Sequence, residues 1–155
     1  QWTSFGVASA GVAAMLLLAF RNIRWTLIAL VPNALPILMV MGLLGWLGLK
    51  INMGAAMIAA VSMGLSVDSS IHYLAGYRRE RSEGRSVSDS LNTVQQSVGR
   101  AAVLSTIALI VGFLVLCTSE FVPPIYFGAL VSLAMLGGLA GNLIVLPLLL
   151  HWTER

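Results

Sequence analysis

Apolar residues fall into five long runs along the chain: 1–20, 25–49, 51–77, 101–119 and 121–150. Their lengths are 20, 25, 27, 19 and 30, together 121 of 155 residues. A helix of about 20 residues crosses a hydrocarbon core, so each run is long enough to span. The alternation that marks membrane β-strands is absent. The pattern predicts an all-α, polytopic bundle of five transmembrane helices, about 4–20, 25–48, 53–77, 101–119 and 125–150. All five fall in a single domain, 1–155.

The one long polar stretch, 78–100, has its own periodicity. Val87, Leu91, Val94 and Val98 repeat at spacings of four, three and four. Ser86, with Asp89 three residues on, resembles a capping box with Asp in the place of Glu. The spacing predicts a short amphipathic helix over 87–98, lying on the cytoplasmic membrane surface and ended by Gly99.

Composition agrees with the pattern. The chain is 58% hydrophobic and 10% charged, against roughly a quarter charged in a soluble domain. This excludes a disordered chain, a nucleic-acid-binding arm and a disulfide scaffold. Cys117 is the single cysteine and reads as a small buried side chain. The first residue is Gln1, and nothing before the first run resembles a signal peptide. The expectation is a segment from inside a longer protein.

The layout of charge predicts orientation. Arg21, Arg24, Arg78, Arg79, Arg81, Arg85, Arg100 and Arg155 lie on one side of the five spans, and only Lys50 on the other. The arginine-rich side is expected to be cytoplasmic. The N-terminus is then outside and the C-terminus inside the cell's inner (plasma) membrane.

The third run carries the chemistry. It reads Gly64-Leu-Ser-Val-Asp68-Ser-Ser-Ile-His72-Tyr73. At 100° per residue, Ser62, Ser66, Ser69 and Tyr73 share one face, and Gly64, Asp68 and His72 form the adjacent stripe. Asp68 is the one formal charge inside any run. Ten residues from Arg78, it lies ~15 Å from the cytoplasmic end. A carboxylate there costs at least ~2.5–3.5 kcal/mol. Hydrocarbon favours the neutral acid, so Asp68 is suited to gain and lose a proton. The alternative is a structural Asp held by neighbouring hydroxyls. Depth counting sets Ser105 and Thr106 level with His72, and Asn142 near Asp68. This gives a polar string of His72, Asp68, Ser69, Thr106 and Asn142. For Ser105, Thr106 and Asn142, ordinary interhelical hydrogen bonding is the competing role.

Small residues in the first span (Gly6, Ala8, Ala10, Gly11, Ala13, Ala14) predict that a neighbour can pack closely. Pro32 and Pro36 flank Asn33 in the second span, where each removes a backbone donor. They read either as a structural kink or as a hinge beside a pathway. The chain is expected not to be an enzyme. An aspartyl intramembrane protease needs two Asp, G-x-S-x-G is incomplete around Ser66, and no metal-ligand spacing or phosphate loop is present. No cofactor is expected.

Val31-Pro-Asn-Ala-Leu-Pro-Ile, Gly64-x-x-x-Asp68-x-x-Ile-His72-Tyr73 and Tyr77-Arg-Arg-Glu80 together resemble the resistance–nodulation–division (RND) exporter superfamily. They are closest to its MMPL-like, hydrophobe-exporting branch. Ser97-Val-Gly-Arg100-Ala and Leu143-Ile-Val-Leu-Pro147 fit as well, so the resemblance covers nearly the whole chain. It implies the last five helices of the second half of a twelve-helix transporter, without that half's first helix and extracytoplasmic domain. It also implies a likeness to sterol-sensing domains. Asp68 then stands at the proton-carrying Asp, and Ser69 and Asn142 stand where relatives often carry further acidic or Tyr side chains. The implied function is proton-driven export of lipidic or hydrophobic molecules. The implied partners are membrane lipids, the hydrophobic substrate and the rest of the transporter, with no nucleic acid. The competing reading is a lipid- or sterol-sensing, or protein-translocation accessory, module that transports nothing itself.

Overall fold

The computed structural model describes residues 2–46, 48 and 53–154. Lys50 and Arg155, used above for orientation, lie outside them. Among the described residues every regular element is helical. The molecule is a helical membrane bundle of five rods, one for each apolar run.

Helix α1 (Trp2–Phe20) and α2 (Ile23–Trp46) are joined by two residues. Arg21 turns the chain with φ +49°, and its N–H donates to the Leu17 carbonyl. Asn22 starts α2 by accepting the Arg24 N–H on its side chain at 2.9 Å. Helix α3 runs from Met53 to Ser82 and so extends past the expected end at 77.

The fourth rod is continuous from Val87 to Thr118. It comprises α4 (Val87–Val94), a π-helical turn (Gln95–Gly99), α5 (Arg100–Leu114) and a closing 3-10 turn (Val115–Thr118). One expectation is corrected here. Gly99 does not end the helix, because its backbone is right-handed and helical at φ −61°. The apolar stripe of 87–98 is also taken up by the bundle itself: Leu91, Val94 and Val98 pack against the Tyr73–Tyr77 stretch of α3. The cap at Ser86 forms: its Oγ accepts the Asp89 N–H at 3.1 Å and donates to the Asp89 carboxylate at 2.6 Å.

The fifth rod, Val122–Thr153, joins α6 (Val122–Ala140), a second π-turn (Gly141–Val145) and α7 (Leu146–Thr153). α2, the fourth rod and the fifth each contain an 18-residue stretch of mean hydropathy 2.2, 2.5 and 2.1, and are apolar and long enough to cross a membrane.

α2, α3 and α6 pack around one another, with α1 against α2 and α3, and α5 against α6. There are two apolar cores. One gathers Leu16, Phe20, Ile28, Tyr73, Leu74, Tyr77 and Leu150 at the arginine-rich end. The other gathers Val40, Leu44, Ile58, Val131 and Ala134 toward the far end. On α1, a Cβ at Gly6 or Gly11 would meet nothing within 4 Å among the described residues, so neither glycine is a point of close packing there.

Glycines on the fifth rod set the central packing. A Cβ at Gly138 would lie 2.7 Å from Ser66 Oγ, and one at Gly141 2.6 Å from the Pro32 carbonyl oxygen. That carbonyl is open because its ordinary helical donor, four residues on, would be Pro36, which has no N–H. α2 nevertheless stays helical through both prolines.

Candidate functional site

Asn33, Ser66, Ser70 and Asn142 meet between the two apolar cores. The Asn33 side-chain amide donates to the Ala29 carbonyl at 2.6 Å and to Ser70 Oγ at 2.9 Å. Ser70 Oγ donates to Asn142 Oδ1 at 2.5 Å, and Asn142 Nδ2 to the Ser66 carbonyl at 3.0 Å. All four residues are buried. In a medium without water, such a chain ties three rods together, because any broken link leaves a polar atom unpaired. The second π-turn places Asn142 here, with the Leu146 N–H bonding back to Gly141, five residues earlier.

Asp68 stands apart from that network. Its side chain is 75% exposed on the outer surface of the bundle, and that of His72 is 70% exposed. The two are 3.6 Å apart, His72 Nε2 to Asp68 Oδ1. They follow the exposed stripe of α3 through Val61, Gly64, Asp68, His72, Ala75 and Arg79. The other face behaves as its spacing predicts, with Ser62, Ser66 and Tyr73 buried. At Gly64, offered by the sequence as a supporting packing position, a Cβ would meet nothing within 4 Å among the described residues. The residue lies on the outward stripe.

A groove of about 700 Å³ runs between α3 and the fourth rod. Asp68, Ser69, His72, Arg79, Ser97 and Ser105 supply its polar lining, and Ala75, Gly76, Ala101 and Ala102 keep it wide. Deeper in, a second cavity of about 10 Å³ is bordered by Ser62, Ser66, Ser69, Thr106 and Asn142. The hydroxyls of Ser62 and Ser66 have no protein partner among the described residues, so the site has the size and polarity for about one water. Ser69 borders both spaces. The five string residues therefore divide between two spaces, with Ser69 on the wall of both: Asp68 and His72 line the groove, Thr106 and Asn142 the smaller inner space.

Asn33 and Ser70 belong to the buried network although the expected string omits them. Ser70 is one turn from Ser66, which is the signal that was available. Asn33 takes its place only through the packing of α2 against α3.

No group of three or more His, Cys, Asp or Glu side chains forms a metal site among the described residues. At the arginine-rich end, Arg81 Nε donates to Glu154 Oε2 at 2.9 Å, as does the Tyr77 hydroxyl at 2.8 Å. The buried Glu80 pairs with Arg85 at 2.9 Å.

No protein-family model matches the chain. It is 26% identical over 149 residues to a Methanocaldococcus jannaschii protein named "Putative membrane protein MJ1562". The match covers 96% of this chain and 38% of that relative, so the chain spans about two fifths of the relative's length. Together with the apolar rods, the likeness agrees with a membrane protein.

Proposed function

We propose that this chain is the C-terminal membrane unit of a proton-driven exporter of lipidic or hydrophobic molecules, of the RND type its motifs resemble. The observation that carries the reading is the Asp68–His72 pair. A carboxylate in the middle of an apolar run stands exposed on the outside of the bundle, beside an imidazole and over a wide groove. Facing hydrocarbon, such a charge would be costly. The arrangement makes sense when the groove is filled by water or by another part of a larger protein, and the longer relative is in keeping with that.

In this reading Asp68 takes up a proton from the outside and loses it toward the cytoplasm. His72, one turn nearer the arginines, is the next acceptor, and Ser69 links the groove to the inner chamber. The charge on Asp68 then biases how α3 packs against its neighbours, and Pro32 and Pro36 in α2 are where the shift is absorbed. Driving force comes from an ion gradient, in the inner membrane, with the arginine-rich end in the cytoplasm.

The test is Asp68→Asn in the full-length protein. Export is expected to fall to background while expression and membrane insertion are unchanged. Export at the unmodified rate would sink the proposal. Persistence of function after collapse of the proton gradient would favour a lipid-sensing or accessory module instead.

A further inference from the structure

Arg21, which follows α1, and Arg78, near the end of α3, both lie at the arginine-rich end, and neither lines the groove. Arg78 extends over the ring of Phe20, its guanidinium carbon 5.9 Å from the centroid. Phe20 is the residue before Arg21, so the ring carries one cation and the next residue of the chain supplies a second. Both arginines are exposed, and neither makes an ion pair among the described residues. By contrast, Arg79, Arg81 and Arg85 on the same end all have carboxylates within reach.

Arg21 also holds a left-handed backbone, φ +49°, at the position that ends α1. Glycine or asparagine takes that conformation more easily, and a long side chain held there is a reason to look for a role. Around the α1–α2 corner, three residues before Arg21 and two and six after it, Leu18, Ile23 and Leu27 are 78, 68 and 59% exposed. A guanidinium stacked on a ring keeps its N–H edge free for bidentate bonding to a phosphate.

We propose that Arg21 and Arg78, positioned by Phe20, bind the headgroup of an anionic phospholipid in the leaflet at this end, with its acyl chains along Leu18, Ile23 and Leu27. A phosphodiester supplies the two acceptor oxygens that the guanidiniums lack. The aliphatic surface beside them selects a lipid over a soluble phosphate. The proposal stands independently of any proton chemistry at Asp68.

The full-length protein, in nanodiscs of phosphatidylcholine with a minor fraction of phosphatidylglycerol, is released and the lipids it retains are counted by native mass spectrometry. Retention of phosphatidylglycerol over phosphatidylcholine is expected. The R21Q/R78Q double variant should lower it at least about tenfold, the loss of charge-assisted bonds at both arginines. Arg21→Gly separates binding from folding. It relieves the left-handed strain, so thermal stability holds or rises while retention falls. Arg100→Gln, which removes an exposed arginine elsewhere, leaves retention unchanged. Equal retention by the double variant overturns the proposal, as does equal retention of phosphatidylcholine. An equal loss in Arg100→Gln would mean diffuse attraction only. Displacement of the lipid by millimolar inorganic phosphate would mean a soluble phosphoryl ligand.

Discussion

At Gly141 a single absent methyl group fixes how close the fifth rod comes to the second. The neighbour is the carbonyl of Pro32, which is rigid backbone and has no room to yield. Gly141→Ala is therefore expected to destabilise the bundle by roughly 1–3 kcal/mol, as overpacking does. Gly64→Ala is the matched control, because it meets open space. There the better helix former should hold or slightly raise stability. Thermal unfolding in detergent, followed by tryptophan fluorescence, compares the two. The heptapeptide from Val31 to Ile37 gives no hint of this contact. Its prolines predict a carbonyl without a helical donor, and only the approach of α6 shows what fills the space. The outward stripe of Gly64, Asp68 and His72 was legible from periodicity. Its direction was not, since periodicity groups residues on a face without saying what that face meets.

Among the elements, the two π-turns lie against each other, and Gln95 joins them. Its Oε1 accepts the Tyr73 hydroxyl at 2.8 Å, and its Nε2 donates to the Leu143 carbonyl in a longer bond of 3.4 Å. Leu143 is open for the same reason as Pro32: the residue four positions on is Pro147. Gln95 thus supplies from a side chain what the proline withholds, and satisfies the buried Tyr73 at the same time. Gln95→Leu strands the Tyr73 hydroxyl. It is expected to cost ~1–3 kcal/mol and to speed amide hydrogen exchange in α7 and α4, with little change in α1. Unaltered exchange would mean that the bridge holds nothing. Periodicity found the apolar stripe of α4 and the Ser86 cap, because both are written in local spacing. It missed the partner of that stripe, the Tyr73–Tyr77 stretch of α3, because spacing within α4 does not say which rod the stripe meets.

For the whole molecule, the five rods and the arginine distribution predict a topology that a labelling experiment reads directly. In a Cys117→Ser background, Phe121→Cys lies in the turn between the fourth and fifth rods, and Glu83→Cys between the third and fourth. Membrane-impermeant maleimide added to intact cells is expected to label the first and spare the second. The reverse result would invert the orientation. The same scale explains the uneven packing. The fifth rod is well buried at the centre, whereas the fourth leaves half of its apolar side chains exposed, Leu104, Val111 and Val115 among them. α3 divides its circumference between a buried serine face and the open groove.

Local sequence accounts for the helices, the turn residues, the capping serine and the one carboxylate in an apolar run. These follow from short-range rules: hydrophobic length, the missing N–H of proline, and the cost of charge in hydrocarbon. The positions of Asn33, Ser70 and Asn142 in one hydrogen-bonded chain, the separation of Asp68 from it, and the continuity of the fourth rod through Gly99 come from tertiary packing. Each depends on which faces of separate rods touch, and residues far apart in the chain set that through volume and shape. Gly138 and Gly141 let α6 close on α2 and α3. The closure buries the amides and leaves the Asp68 stripe outside.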